Sequence, residues 1–316
     1  MARAGTRWVR AARVSMAAVV VALLPADAFA VLMLSNRAVP VPVSTAVQRY
    51  RQHSATGATG ATPTSVVVNS GSTTPLTRIV PELTLAAVTQ ARPRPPSPRS
   101  AGASPAARAV VPAGSVVPPG VYVYATSGHE EVSVMGGSRH DYPAQTTMTV
   151  TATACGRDVR WDALQQRWDD IAACTSGPGI DVSAFTTHHE FFGVSDQRTY
   201  TCPPGTPIRP AATTTGSQTS GRCTAPGAST TLDTTVAGVD NVMVGATVVP
   251  AVRVHVVQVL TGATSGTRTS DIWFALSDGL IVRLLSTVDG RSNSAIGETN
   301  YHEQVSLQLT SLAPLR

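Results

Sequence analysis

From residue 117 onward, apolar residues recur at every second position, the period of a β-strand with one buried and one wet face. Gly120-Val-Tyr-Val-Tyr-Ala125, Thr146-Thr-Met-Thr-Val-Thr-Ala152 and Val252-Arg-Val-His-Val256 are rich in β-branched and aromatic residues and predict strands. Ile272 to Leu276 and Leu280 to Thr287 predict two more, with Asp278-Gly279 and Asp289-Gly290 as hairpin turns. In Tyr301 to Thr310 the alternation puts Tyr301, Val305, Leu307 and Leu309 on one face, and His302, Gln304, Ser306 and Gln308 on the other. The segment 117–316 is thus expected to be one mainly β domain, a single antiparallel, curled sheet large enough to bury a core.

The beginning of the chain follows another pattern. Arg3, Arg7, Arg10 and Arg13 precede an apolar run, Val14 to Leu24, and then Pro25 and Ala28-Phe29-Ala30. A basic start, an apolar helix and small residues at a cleavage position make an export signal. Apolar character resumes at Val31 to Leu34, so the run from Val14 also has about the length of a membrane anchor. Asp27 weighs against the anchor, because a carboxylate near a helix centre costs roughly 3 kcal/mol on insertion. Residues 1–35 are read as a signal peptide or signal anchor, with everything after them extracytoplasmic, secreted or held in a bacterial envelope by a single pass. The first cysteine is Cys155, which excludes lipid attachment behind the apolar run, and no two arginines of the start are adjacent, which argues against the twin-arginine route.

Residues 36–116 are rich in Ala, Thr, Ser, Pro and Gly, with passages such as Ala91-Arg-Pro-Arg-Pro-Pro-Ser-Pro-Arg99. Such a composition buries too little apolar surface to offset its ordering entropy, and it predicts a disordered linker. Val43 to Arg51 and Ile79 to Val88 have helical spacing and would interrupt it with short helices.

Four cysteines, Cys155, Cys174, Cys202 and Cys223, fall within the β domain, and an even number in an oxidising compartment favours two disulfides. Cys155 to Cys174 reads either as a helix, with Trp161, Leu164, Trp168 and Ile171 at helical spacing, or as a hairpin. The hairpin is favoured: with Leu164-Gln165 at its tip, Cys155 meets Cys174, Trp161 packs across from Trp168, and Arg160 and Arg167 oppose Asp169 and Asp162. A helix would hold the two cysteines roughly 30 Å apart. Cys202 and Cys223 bracket a Pro, Thr and Gly-rich loop stapled at its base, so of the three possible connectivities 155–174 with 202–223 is preferred.

All 24 basic residues are arginine. Without lysine there is no phosphate-binding loop of the Walker type, no Schiff-base chemistry and no Ser-x-x-Lys acylation site. The net charge of +5 divides into +10 for residues 1–108 and −5 for residues 109–316, so the basic excess lies outside the β domain, and nucleic acid is not an expected partner. His188-His189-Glu190 invites a zinc-hydrolase reading, but His-Glu-x-x-His needs a second histidine where Gly193 stands. Those three residues remain the candidate metal ligands, with His140 or Asp196 as possible companions. Gly128-His-Glu-Glu131 and Arg139-His-Asp-Tyr142 would supply a histidine and carboxylates for acid–base work, or else form exposed strand ends. No Gly-x-Ser-x-Gly, Cys-x-x-Cys or calcium-loop spacing is present. Trp161, Trp168 and Trp273 read as packing anchors. No catalytic residue and no cofactor is expected.

Asp271-Ile-Trp-Phe-Ala-Leu-Ser-Asp-Gly-Leu-Ile-Val-Arg283 resembles the strand, turn and strand of envelope lipid carriers of the LolA and LppX/LprG type. The resemblance implies a half-barrel able to hold an apolar ligand, although the lipid-attachment cysteine and a closing helix of that family are missing here. The layout as a whole resembles uncharacterised actinobacterial envelope proteins. The chain is therefore expected to be a non-enzymatic envelope binding module for a lipid, glycan or protein, touching membrane only through an uncleaved N-terminal segment. A metal-dependent wall hydrolase and a structural envelope protein are the alternatives.

Overall fold

The computed structural model describes residues 36–58, 116–262, 264–294 and 297–316. The expected signal or anchor, and the linker from 59 to 115 with its second helix, lie outside the described residues. Among the described residues one α-helix, α1 (Val43–Ala58), precedes fourteen strands: β1 (Gly120–Val132), β2 (Ser138–Asp141), β3 (Gln145–Ala152), β4 (Gly156–Asp162), β5 (Arg167–Ser176), β6 (Gly179–Phe191), β7 (Val194–Thr201), β8 (Pro207–Arg209), β9 (Gln218–Ala225), β10 (Ala228–Val244), β11 (Thr247–Gly262), β12 (Thr264–Ala275), β13 (Ile281–Ser294) and β14 (Gly297–Leu309).

The sheet is antiparallel, as its alternation predicts, but it is not an open curl. Twelve strands run in sequence order around a barrel that closes where β1 pairs β14, from Tyr124 opposite Leu309 to Val132 opposite Tyr301. Closure leaves neither terminal strand with a bare edge. It depends on Gly128: a Cβ there would lie 1.9 Å from the Gln304 carbonyl oxygen of β14. Alternation alone does not distinguish a curl from a ring, because the pleat is the same in both.

The predicted faces of β14 hold, with Val305, Leu307 and Leu309 buried inside. The residues between them, together with Thr267, Thr269 and Asp271 of β12, are polar and outward, so the barrel meets water rather than lipid along these strands. Asp278-Gly279 makes its turn, with Gly279 at a φ of +76° and the Asp278 carboxylate accepting from the Leu280 N–H at 2.8 Å. Asp289-Gly290 does not turn; both residues lie within β13, opposite His302 and Tyr301. At the end of the barrel away from that region, Tyr122, Tyr124, Met148, Val150, Leu307 and Leu309 pack into a closed apolar core.

Both disulfides have the preferred connectivity, Cys155–Cys174 and Cys202–Cys223. The β4–β5 hairpin forms, but one residue out of the expected register: Trp161 opposes Asp169, and Trp168 opposes Asp162. A one-residue slip sends alternate side chains to opposite faces. Trp161 is therefore buried inward and donates to Thr146 Oγ1 at 3.0 Å, whereas Trp168 lies on the outer face between the Arg160 guanidinium and the His188 ring. The reason lies at the tip, where Leu164 is fully buried and bridges to Pro40, so Leu164-Gln165 is not a free two-residue turn.

That contact belongs to a segment expected to be linker. Asn36 to Val41 crosses the barrel wall between β2 and the tip of the β6–β7 hairpin, held by Val39 N–H to Gln166 Oε1 at 3.0 Å and by Gln165 N–H to the Val39 carbonyl at 2.8 Å. Helix α1 follows, longer than Val43 to Arg51, with Ala46 buried and Arg49 3.3 Å from Asp162.

Candidate functional site

Inward positions of a small barrel are normally apolar, yet across the middle of this one lies a layer of charge. Arg167 of β5 is its centre. The guanidinium donates from Nη1 and Nη2 to Asp169 Oδ1 and Oδ2 at 2.6 and 2.9 Å, and from Nε and Nη2 to Glu303 Oε1 and Oε2 at 2.9 and 3.2 Å. Arg167 and Asp169 reach the same face because they are two residues apart on one strand, and Glu303 comes from the closing strand β14. Arg268 adds a third contact to Asp169 at 3.1 Å and donates to Ser286 Oγ at 3.1 Å. Tyr142 donates to Glu303 Oε1.

The second carboxylate of the layer is Glu130, from β1. It accepts from Tyr301 OH at 3.1 Å and faces Nδ1 of His140 at 3.0 Å and Nδ1 of His189 at 3.1 Å. Glu130, His140, Arg167 and Glu303 are all 0 % exposed. Charges so deep are tolerated only when paired and hydrogen-bonded. Burial alone would raise the Glu130 pKa, but the hydrogen bonds from His140 and His189 outweigh it and bring it down to about 2. Burial likewise opposes the charge of Asp169, and Arg167 and Arg268 hold its carboxyl well below the usual range. Tyr142 and Tyr301 are pushed well above the ordinary phenol value, first by burial and then by Glu303. At neutral pH Glu130 and Asp169 are therefore ionised, while Tyr142 and Tyr301 keep their protons.

Two mainly apolar cavities flank this layer. The outer one, 160 Å³, is lined by Phe191, Val194, Leu260, Val288 and Tyr301, with His189, Asp196, Arg198, Arg268 and Arg291 among its polar groups. The inner one, 100 Å³, is lined by Trp161, Ile171, Phe185, Leu232, Ile272 and Leu284, with Asp169 and Arg268 at one side. Thr187, Gln258 and Arg268 line both, so the two are compartments of one lumen. Larger grooves of 810 and 720 Å³ lie outside the barrel, beside Asp289 and His302 and beneath α1, but these are half polar. Of the four, the two lumen compartments have the mainly apolar lining that small-molecule sites use.

The residues singled out from the sequence divide. His189 points inward and shares Glu130 with His140, and Asp196, opposite His189 in the register, lines the same cavity. His188 stacks on Trp168 outside, and Glu190, two residues on, takes the same outward side, so His188, His189 and Glu190 do not converge. Among the described residues no three His, Cys, Asp or Glu side chains are grouped to hold a metal ion. Glu130, His140 and Tyr142 of the two candidate acid–base clusters do come together, buried rather than exposed as strand ends. Arg167, Asp169, Arg268 and Glu303 were not anticipated as a site. Glu303 was legible in principle, since it interrupts the apolar face between Tyr301 and Val305.

Among the described residues no helix is long and apolar enough to cross a membrane. Comparison with protein-family models, with curated proteins and with solved structures finds no match to this chain.

Proposed function

We propose that this chain is a non-enzymatic binding module of the bacterial envelope that takes a small, mainly apolar molecule into its barrel. The observation that carries the reading is the divided lumen, whose inner compartment is walled by Trp161, Ile171, Phe185, Leu232, Ile272 and Leu284. A concave, mainly apolar cavity with a few convergent polar groups is the usual composition of a small-molecule site. The segment similar to the lipid carriers, Asp271 to Arg283, supports it too, because it forms the β12–β13 hairpin and contributes Ile272 and Ile281 to that wall. The two disulfides fit an oxidising compartment. In the charged layer every group is matched by a partner, which suits a rigid floor that positions a ligand better than a reactive centre awaiting one.

The test is native mass spectrometry of the exported protein with both disulfides formed, beside a Leu232→Trp variant that fills the inner compartment. Overpacking there costs about 1–3 kcal/mol, small enough for the variant to fold. The expected result is a bound apolar mass, or uptake of the dye 1-aminoanthracene, in the wild type and neither in the variant. A wild type that carries nothing and takes up no dye would overturn the reading.

A further inference from the structure

Of the arginines that line the lumen, Arg198 has a buried nitrogen without a hydrogen-bond partner. Arg167 is saturated by Asp169 and Glu303, and Arg268 is engaged by Asp169 and Ser286. Arg198, an inward residue of β7 in the outer compartment, has one ion-pair partner, Asp196 at 3.6 Å, whose carboxylate is 56 % exposed, and a side-chain hydrogen bond with Tyr200. Its Nη1 is buried without a hydrogen-bond partner. A buried donor left unpaired costs free energy that an acceptor arriving beside it would recover.

The strand pairing leaves that position beside an unpaired stretch of sheet edge among the described residues. β7 pairs with β6 along its whole length, but with β9 at one place only, Thr201 opposite Thr224. β9 ends one residue later, at Ala225, while β7 continues in the opposite direction to Val194. Among the described residues, the β7 edge beyond Thr201 therefore runs for roughly 20 Å without a neighbouring strand, at about 3.4 Å per residue. Arg198 lies along this slot, and among the described residues none of β9 or β10 lines the outer compartment behind it.

We propose that the ligand is an amphiphile with a carboxylate head, which enters through the slot between β7 and the β9–β10 hairpin, pairs with Arg198, and lays its apolar tail past Thr187 and Gln258 into the inner compartment. This rests on the reading of the lumen as a binding site. Together the compartments have room for roughly eight groups of water size, at about 30 Å³ each, which corresponds to a medium-length chain.

The test compares octanoate with 1-octanol, which shares its tail and lacks its charge, by calorimetric titration into the exported protein and into Arg198→Met. A buried charge-assisted hydrogen bond gives the wild type a preference for octanoate of about tenfold, and R198M brings octanoate down to the level of the alcohol. Equal binding of the two compounds to the wild type, or a preference that survives in R198M, would overturn the carboxylate assignment and leave the lumen reading standing. Binding of neither, with no dye uptake, would remove both.

Discussion

His140 sets its Nε2 2.9 Å from the carbonyl oxygen of Asn36 and its Nδ1 3.0 Å from Glu130 Oε1, tying a segment 104 residues upstream to the charged layer inside the barrel. Each ring nitrogen thus faces an oxygen acceptor. The Asn36 side chain extends the link by accepting from the Phe192 N–H at 2.8 Å, at the tip of the β6–β7 hairpin. What composition alone reads as tether is thus part of the wall.

His140→Phe keeps the aromatic stack on Phe191 but deletes both polar contacts. The expected loss is on the order of 2–4 kcal/mol, since a buried carboxylate and a carbonyl each lose a partner. Hydrogen exchange should accelerate at the Gln165 and Phe192 amides, which donate to Val39 and Asn36. Unchanged protection at both would show that the segment is held without the histidine.

Acid should find the same layer. The Glu130 carboxyl is lowered to about 2 in the folded barrel from an ordinary 4.5, and Asp169 moves in the same direction. A carboxyl with a depressed folded pKa contributes stability that is complete above its unfolded value and is lost as pH falls through the folded one. Denaturant midpoints should therefore hold from neutral pH down to about 5 and fall steeply below it, with a flatter acid limb in Glu130→Gln. A barrel that gains stability below pH 4.5 would contradict the assignment.

Removing the central cation has a different signature. Arg167→Met leaves Asp169 with Arg268 alone and Glu303 with only the Tyr142 hydroxyl, at an expected cost of about 3–5 kcal/mol. Adding Glu303→Gln to that variant should restore part of the loss, because the unpaired charge is then gone. Urea unfolding of the single and double variants measures the coupling, and strictly additive losses would mean that the two residues do not act as a pair.

How far the sequence reaches is clearest at Trp161 and Trp168. Hairpin, disulfide and strand period were all legible, yet the register slipped by one, because the buried Leu164 docks against Pro40 in a segment with no strand signal of its own. The antiparallel sheet was legible for the same reason that its closure was not: alternation reports which face is buried and is silent on which strands meet at the ends. The charged layer was half legible. His140 and Glu130 stand in clusters that attract notice, but Arg167, Asp169 and Glu303 are single charges on apolar strand faces, and only the closed barrel brings β5 against β14 to neutralise them.

The seam between β7 and β9 makes the two disulfides unequal. They close loops of similar length, with sequence separations of 19 and 21, so the chain-entropy contribution of each is about 3 kcal/mol. Their surroundings differ. Cys155–Cys174 lies at the end of β4 and β5, which are already paired from Gly156–Cys174 to Asp162–Trp168. Cys202–Cys223 lies beside the single Thr201–Thr224 contact, where little else joins the two strands. Replacing the first pair by serines should lower global stability and leave exchange in β7 nearly as it was. Replacing the second should lower it by a similar amount and also speed exchange of the β9 amides and widen the slot beside Arg198, seen as faster on- and off-rates for octanoate. Equal exchange profiles in the two double variants would mean that the seam is held by something other than the covalent bond.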